Sequence, residues 1–391
     1  ELMEAAGIAF WLFLGLTGYV YAGYPVLLAL WCRIRRGPEA EPGWRGAEEA
    51  VLPKVSLIIP AYNEEQVIVR KIRNSLEVDY PAHLLEIVVV SDGSSDSTEA
   101  LARQAAGERV RLVFLEDRQG KTACINAVLP GLLGEIVVFT DANAFFLPDA
   151  LRELVRPFRL PRIGCVMGEL VYAQEDSLNS TLGEGLYWRY ENFIKERESR
   201  LGSTIVGNGA IYAMRRDLCR ILPLEVETDV ANPLLALSAG YRVIFVRTAR
   251  CRERASTTVR EEFGRKARII TNQITSYLYG WRDFRSLPAG AILQIVSHKV
   301  LRWLVPFFLG GLLAATAARR GPLLDGMLAL QVLFYAAALA GWGLESAKRP
   351  VPRLLFLPYY FCAVNVASIK GMVDFALGRH YAVWEKAAST R

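Results

Sequence analysis

The chain has 391 residues, 52% of them hydrophobic, and a formal net charge of +6. That is enough for two or three domains and more apolar than an ordinary soluble enzyme. Six scattered cysteines without CxxC spacing argue against zinc and a disulfide framework, and three histidines argue against a His-based triad or a His-rich metal site. With no clustered basic and aromatic repeat, the positive charge reads as attraction to a lipid bilayer, and nucleic acid is not among the expected partners.

No residue from Ala5 to Cys32 carries a charge, and that run exceeds the ~20 apolar residues a membrane-spanning helix needs. Glu1 and Glu4 stand where a secretory signal would be basic. Arg33, Arg35 and Arg36 then place the N-terminus outside and Arg33 inside, so 1–36 is expected to be a transmembrane segment. Residues 37–53, with Gly37, Pro38, Pro42, Gly43 and Gly46, read as a linker.

From Lys54 strands and helices alternate. Val55 to Ile59, Ile87 to Val90, Val110 to Leu115 and Ile136 to Phe139 are expected strands. Glu64 to Glu77, Ser97 to Ala106 and Lys121 to Leu132 are expected helices. This order predicts an α/β domain over 53–284, with a mostly parallel sheet covered by helices on both faces. No GxGxxG follows a strand, which disfavours a dinucleotide fold. Beyond Pro148 the pattern predicts a helix over Asp149 to Phe158, a strand over Ile163 to Met167, and a helix near Glu184 to Arg200. A helix starting at Asn232-Pro233, a last strand over Val243 to Val246, and a basic helix over Arg260 to Leu278 follow. In 285–391, Ser286 to Ser297 reads as an interfacial helix, while Trp303 to Ala318, Gly326 to Leu344 and Leu354 to Ile369 are uncharged. The first and last of these are short for spanning helices.

Asp92 and Asp141 each follow a central apolar strand, so both should reach the same edge of the sheet. Asp141 and Asn143 lie two apart in TDAN and point the same way in an extended segment. Such an oxygen pair suits Mg²⁺ or Mn²⁺, unless Asp141 merely caps the next turn. Asp229, in EVETD, is a carboxylate not needed as a helix cap and is a candidate general base, or else part of a solvated acidic loop. Arg265 and Arg268 lie three apart on one helix face and can clamp a diphosphate or face anionic lipid. Lys121 stands at a helix start, as a phosphate ligand or as an ordinary exposed lysine.

PAYNEE (Pro60 to Glu65), SDGSSD (Ser91 to Asp96), QGKTACIN (Gln119 to Asn126), TDAN, GNGAIYAMRR (Gly207 to Arg216), ETD (Glu227 to Asp229) and RKAR occur in this order. Together they resemble membrane-integrated family 2 glycosyltransferases, the group with cellulose, chitin, hyaluronan and poly-N-acetylglucosamine synthases. The resemblance covers roughly Pro53 to Gly280. It implies a GT-A fold on the cytoplasmic side of the cell membrane, a nucleoside-diphosphate sugar donor such as a UDP-sugar, and a glycan or lipid-linked acceptor. It also leaves a place for accessory export subunits. By carry-over, Ala61, Asn63, Glu64, Asp92 and Lys121 contact the donor, with Asp92 on the uridine portion. Asp141 and Asn143 hold the cation, Arg265 and Arg268 stabilise the departing diphosphate, and Asp229 deprotonates the acceptor. Gly207, Asn208, Gly209 and Trp188 line the acceptor pocket. One base without a protein nucleophile implies inversion.

Two departures bear on function. Asn143 replaces the second carboxylate of a DxD motif, which implies weaker metal binding. Ile269 stands where the QxxRW motif of processive synthases has Trp, and Arg265 where it has Gln, which sets a polysaccharide synthase against a transferase adding one sugar. Tyr187, Trp188 and Tyr190 offer sugar-stacking faces or an interfacial aromatic belt. With three further spans the C-terminal tail would lie outside, against the charge rule, so Leu354 to Ile369 is expected to be re-entrant or interfacial.

Overall fold

The computed structural model describes residues 2–35, 52–173, 178–254, 258–279, 286–319, 321–379, 381 and 383. Apart from residues 52 and 53, the expected linker lies outside the described residues. In chain order the elements are α1 (Leu2–Gly18), α2 (Tyr24–Ile34), β1 (Val55–Ala61), α3 (Ile68–Leu76), β2 (Leu85–Asp92), α4 (Thr98–Ala106), β3 (Val110–Leu115), α5 (Lys121–Val128), β4 (Ile136–Thr140), β5 (Phe145–Phe146) and α6 (Ala150–Val155). Then come β6 (Ile163–Ala173), α7 (Leu178–Leu201), β7 (Ile211–Arg215), α8 (Thr228–Ser238), β8 (Arg242–Arg254), α9 (Val259–Tyr279), α10 (Ala289–Gln294), α11 (Leu301–Ala317), α12 (Pro322–Ser346) and α13 (Arg353–Ala376).

Among the described residues eight strands form one sheet in the order β3-β2-β1-β4-β7-β6-β8-β5. β1 to β4 are parallel, β7 is antiparallel to both its neighbours, and β6 runs parallel to β8. The uninterrupted Val/Ile runs follow from burial on both faces. Leu57, Ile59, Ile87, Val89 and Val138 point into one core with Ile68 and Ile72 of α3. Ile58, Val88, Val90 and Val137 point into the other with Cys124 and Val128 of α5 and Leu234 of α8. Alternate side chains of a strand leave on opposite faces, so both parities must be apolar here.

Three expectations are corrected, and one strand is added that the sequence pattern did not single out. β8 continues past Val246 to Arg254, because a register shift at Gly168/Glu169 lets it keep pairing with β6. β7, inside the GNGAIYAMRR stretch, is a full strand beside β4. α8 starts at Thr228, so Asp229 lies in its first turn and Pro233 inside it. Ser286 to Ser297 is not a separate interfacial helix: α10 continues through a π-helical stretch, Ile295–Val300, into α11.

Among the described residues four helices are long and apolar enough to cross a membrane: Glu4–Ile34, Ala289–Ala317, Pro322–Ser346 and Arg353–Ala376. α1 packs on α11 through Phe10 and Leu312, and α2 reaches α7 of the sheet domain through Tyr24, Leu28 and Ile194. α13 is a continuous 24-residue helix, longer than the uncharged run suggested. It lies along α9, with Phe356 and Tyr359 against Val259 at one end. At the other end Thr271 Oγ1 donates to the Gly371 carbonyl at 3.0 Å. A Cβ on Gly371 would come 2.7 Å from the Ala267 carbonyl oxygen, so glycine sets that close approach.

Candidate functional site

The order β2-β1-β4 leaves a crevice at the carboxyl ends of the parallel strands, where chain connections depart in opposite directions. Asp92 ends β2. Its two carboxylate oxygens accept the N–H groups of Gln119 and Gly120, both at 2.8 Å. This grip draws the Gln119-Gly120 turn across the strand ends and starts α5 at Lys121. Lys121 Nζ then donates to Asp141 Oδ1 at 2.6 Å and to the Gly209 carbonyl at 3.1 Å. Asp92 builds the site's floor through backbone, and Lys121 supplies a counter-charge to Asp141.

The PAYNEE and SDGSSD loops are stitched together. Ser95 N donates to Asn63 Oδ1 at 2.8 Å, Glu64 N to Thr98 Oγ1 at 2.7 Å, and Ser97 N to Glu65 Oε2 at 3.1 Å. Asn63 adopts φ 49°, and Gly93, at φ 63°, has the Arg118 backbone so close that a Cβ would come within 2.9 Å. Arg118 in turn stacks on Tyr62 at 3.7 Å. Ala61, Glu64, Asp92, Lys121 and Asp141 line a small cavity of 50 Å³ beside Tyr62 and Arg118. Asn63 holds the loop rather than lining that space.

An adjoining cavity of 720 Å³ brings together Lys121, Asp141, Asn143, Trp188, Gly207, Asn208, Gly209, Asp229, Arg265 and Arg268. Asp229 opens on it from the first turn of α8. Pro233 has no N–H for the carbonyl four residues back, so helix hydrogen bonding leaves the Asp229 carbonyl unclaimed. Gly207 packs against that carbonyl, and a Cβ there would sit 1.7 Å from its oxygen. At Gly209 a Cβ would come 2.9 Å from Lys121 Nζ and 3.4 Å from Asp229 Oδ2. The two glycines therefore make room for the acid and the lysine.

Asp229 and Glu227 keep some surface on the cavity but are walled from bulk water. Burial raises the Asp229 pKa, Asp141 raises it further, and Lys121 pulls the other way. Burial and Asp229 together push Glu227 up, against Arg268 and the Asn272 amide. Asn272 Nδ2 donates to Glu227 Oε1 at 2.7 Å, and Arg268 Nη1 lies 3.9 Å from the same oxygen. Arg265 is tied to Glu262 at 3.0 Å and to the Tyr172 hydroxyl at 2.9 Å. Both arginines line the cavity, each with a protein partner already in place.

Several residues escaped the sequence reading. Asn143 Nδ2 donates to Glu253 Oε1 at 2.8 Å, so β8 brings a carboxylate beside Asp141 and Asn143. The extra signal was the in-out alternation of Ala249 and Cys251 with Arg250 and Arg252. Trp188 lines the cavity edge-on to Tyr172 at 5.9 Å, whereas Tyr190 donates its hydroxyl to the Val20 carbonyl at 2.9 Å. The aromatic cluster is thus divided between pocket and helix packing; the Tyr187 side chain is outside the described residues. Lys195 and Lys299 also line the cavity.

The oxygen donors of Asp141 and Asn143 fit a hard divalent cation. Among the described residues no group of three His, Cys, Asp or Glu could hold an ion. Two oxygen donors do not complete such a cation's shell, so its remaining ligands would have to come from substrate or water.

Residues 56–222 match the glycosyl transferase family 2 model. An N-acetylglucosaminyltransferase of Rhizobium leguminosarum bv. viciae is 29% identical over 215 residues, 51% of this chain and 50% of that protein. A beta-monoglucosyldiacylglycerol synthase of Synechocystis sp. is 27% identical over 327 residues, 80% of this chain and 67% of that protein. The chain thus spans about half the length of the first relative. The mannosyltransferase PcManGT of Pyrobaculum calidifontis, solved with GDP-Man and Mn²⁺, superposes with a TM-score of 0.72 at 23% identity, covering 97% of this chain and 100% of that one. Sheet order, crevice and superposition agree on a GT-A fold, within which residues 56–222 match the glycosyl transferase family 2 model.

Proposed function

We propose that this domain transfers a sugar, with inversion, from a nucleoside-diphosphate sugar to a hydroxyl of a membrane-associated acceptor. The observation that carries this reading is Asp229, a carboxylate with a raised pKa in the same 720 Å³ cavity as Lys121, Asp141 and Arg268. Asp229 takes the acceptor proton as the hydroxyl attacks the anomeric carbon. Lys121 and Arg268 neutralise charge on the departing diphosphate. Asp92 keeps the Gln119-Gly120 turn in place, and the small cavity beside Tyr62 and Arg118 suits the donor's base, with uridine the expected one. Asp141 and Asn143 would hold Mg²⁺ or Mn²⁺, which supplies Lewis-acid stabilisation of the leaving group.

Between a polymer and a single added sugar, the lining of the cavity favours the latter. Among the described residues the cavity meets the candidate membrane helices through two charged side chains alone, Lys299 of Ala289–Ala317 and Lys370 of Arg353–Ala376, and no apolar or aromatic side chain of those helices lines it for a growing chain. The named relatives make N-acetylglucosaminyl and glucosyldiacylglycerol products, and a lipid-linked acceptor is the closer analogue. The division into 1–36, 53–284 and 285–391 is part of the same proposal. So is a C-terminal tail on the catalytic side, supported by Asn272 Nδ2 donating to the Tyr381 carbonyl at 3.2 Å. The test is purified protein in lipid nanodiscs with a panel of UDP- and GDP-sugars, nucleoside diphosphate release, and product sizing. Release tied to one added sugar supports the reading; a ladder of products restores the synthase.

A further inference from the structure

The end of the cavity away from Asp92 is built from buried charge. Glu191 on α7 meets His298 Nε2 at 3.2 Å, Lys299 Nζ at 3.0 Å and Arg302 at 2.7 Å. Glu198, one turn of helix further on from Lys195, holds His298 Nδ1 at 2.9 Å and the Tyr24 hydroxyl at 2.7 Å. All these acidic and imidazole groups are accounted for. Lys195, between the two glutamates on α7, is not: it is 1% exposed and lines the cavity. Among the described residues no carboxylate lies within ion-pair reach of it and it donates no hydrogen bond. It lies over the Trp188 ring at 5.0 Å and the Phe245 ring at 5.8 Å, and Glu191, Glu198 and Asp229 attract it from beyond ion-pair distance. Across the same cavity Asn208 is 7% exposed; its Oδ1 accepts from Ala210 N at 3.1 Å, and its Nδ2 is buried with no partner.

Within this cluster Lys195, Lys299 and Arg302 face Glu191 and Glu198, with Asp229 also attracting Lys195 across the cavity, and Lys195 is the cation left without an ion pair. A buried ammonium without a direct ion pair or hydrogen bond is costly, as is a buried amide N–H₂ without an acceptor. Both deficits are met by one anion with several acceptor oxygens. The wall behind it says where such an anion would come from. Lys299 and Arg302 belong to the candidate membrane helix Ala289–Ala317, and Tyr24 to Glu4–Ile34. A phosphate on a membrane lipid would enter at this level with its apolar chains outside the domain.

We propose that Lys195 and Asn208 form an anion subsite for the phosphate of a lipid acceptor whose hydroxyl faces Asp229. This rests on the transfer reading above and names its acceptor class. Burial lowers the Lys195 pKa to about 8, with Lys299 adding to the fall and Glu191, Glu198 and Asp229 opposing it.

The test titrates inorganic phosphate into the full chain in nanodiscs of phosphatidylcholine, saturated with nucleoside diphosphate so that the arginine end is filled. Calorimetry should detect phosphate binding that weakens about tenfold or more in Lys195→Met and survives in Lys195→Arg. Retained nucleoside diphosphate affinity shows that each variant is folded. In a second arm, wild-type transfer to phosphatidylglycerol should exceed transfer to diacylglycerol. Absence of phosphate binding, or equal binding in Lys195→Met, overturns the subsite. Phosphate binding without the lipid preference assigns the site to free phosphate and overturns the lipid source. Failure to turn over any nucleotide sugar would instead sink the transfer reading, and the phosphate titration is independent of turnover.

Discussion

The two ends of the large cavity treat charge in opposite ways. At the proposed donor end Asp92, Asp141, Glu227 and the two arginines already have partners, so the resting site is internally neutralised. At the proposed acceptor end Lys195, 1% exposed, has no ion pair or hydrogen bond and the buried Asn208 Nδ2 has no partner among the described residues. A site that balances its own charges can wait empty and must give up contacts when the ligand arrives. A site left unbalanced relies on the ligand to complete it. The contrast gives donor binding a modest net driving force and acceptor binding a selective one.

The sharpest way to break the contrast is at the group between the ends. Asp229→Asn should lower kcat by about a hundredfold or more, with nucleotide affinity by calorimetry changed little, because a general base acts in the transition state. Wild-type nucleoside diphosphate release with acceptor present would remove Asp229 from the mechanism. Next in size is metal removal: chelator should abolish transfer and Mn²⁺ or Mg²⁺ restore it, while undiminished transfer would leave Asp141 as a partner of Lys121 alone.

Gly207→Ala sharpens the steric side of the comparison. Its Cβ would meet the Asp229 carbonyl oxygen at 1.7 Å, so overpacking of about 1–3 kcal/mol is expected, read as a lower Tm together with lost activity. A melting temperature equal to wild type would show that the carbonyl can move aside. The smallest effect is on pH dependence. Because burial and Asp141 raise the Asp229 pKa, the active carboxylate is protonated as pH falls through a value above the ordinary Asp range, and kcat falls on that limb. Lys121 opposes the rise, so Lys121→Met should move the acid limb to still higher pH, whatever its effect on the plateau. An unmoved limb would detach the lysine from the base.

Much of the sheet was legible because strands buried on both faces write continuous Val/Ile runs, as Ile87 to Val90 and Ile136 to Phe139 do. The acidic positions were legible for the same reason: Asp92 and Asp141 end those runs. Other features depended on partners distant in sequence. β8 beyond Val246 looks like an exposed basic stretch until its pairing with β6 across a register shift is known, which is why Glu253 was overlooked. The start of α8 was misplaced because Pro233 normally opens a helix, whereas here it sits inside one. The charges of α7 look solvated in sequence, yet Glu191, Lys195 and Glu198 are covered by α2 and the start of α11.

The packing of α13 along α9 has a further consequence. α9 carries Arg265 and Arg268 toward the cavity while its Ala267, Ile270 and Thr271 rest on Gly371. The outer face of α13 is apolar and open, with Leu354 84%, Leu357 52% and Val366 52% exposed. Whatever solvates that face is thus a structural component of the arginine scaffold, two layers from the chemistry. Chain length and headgroup of the surrounding amphiphile become variables of the reaction in their own right, to be fixed and reported like ionic strength.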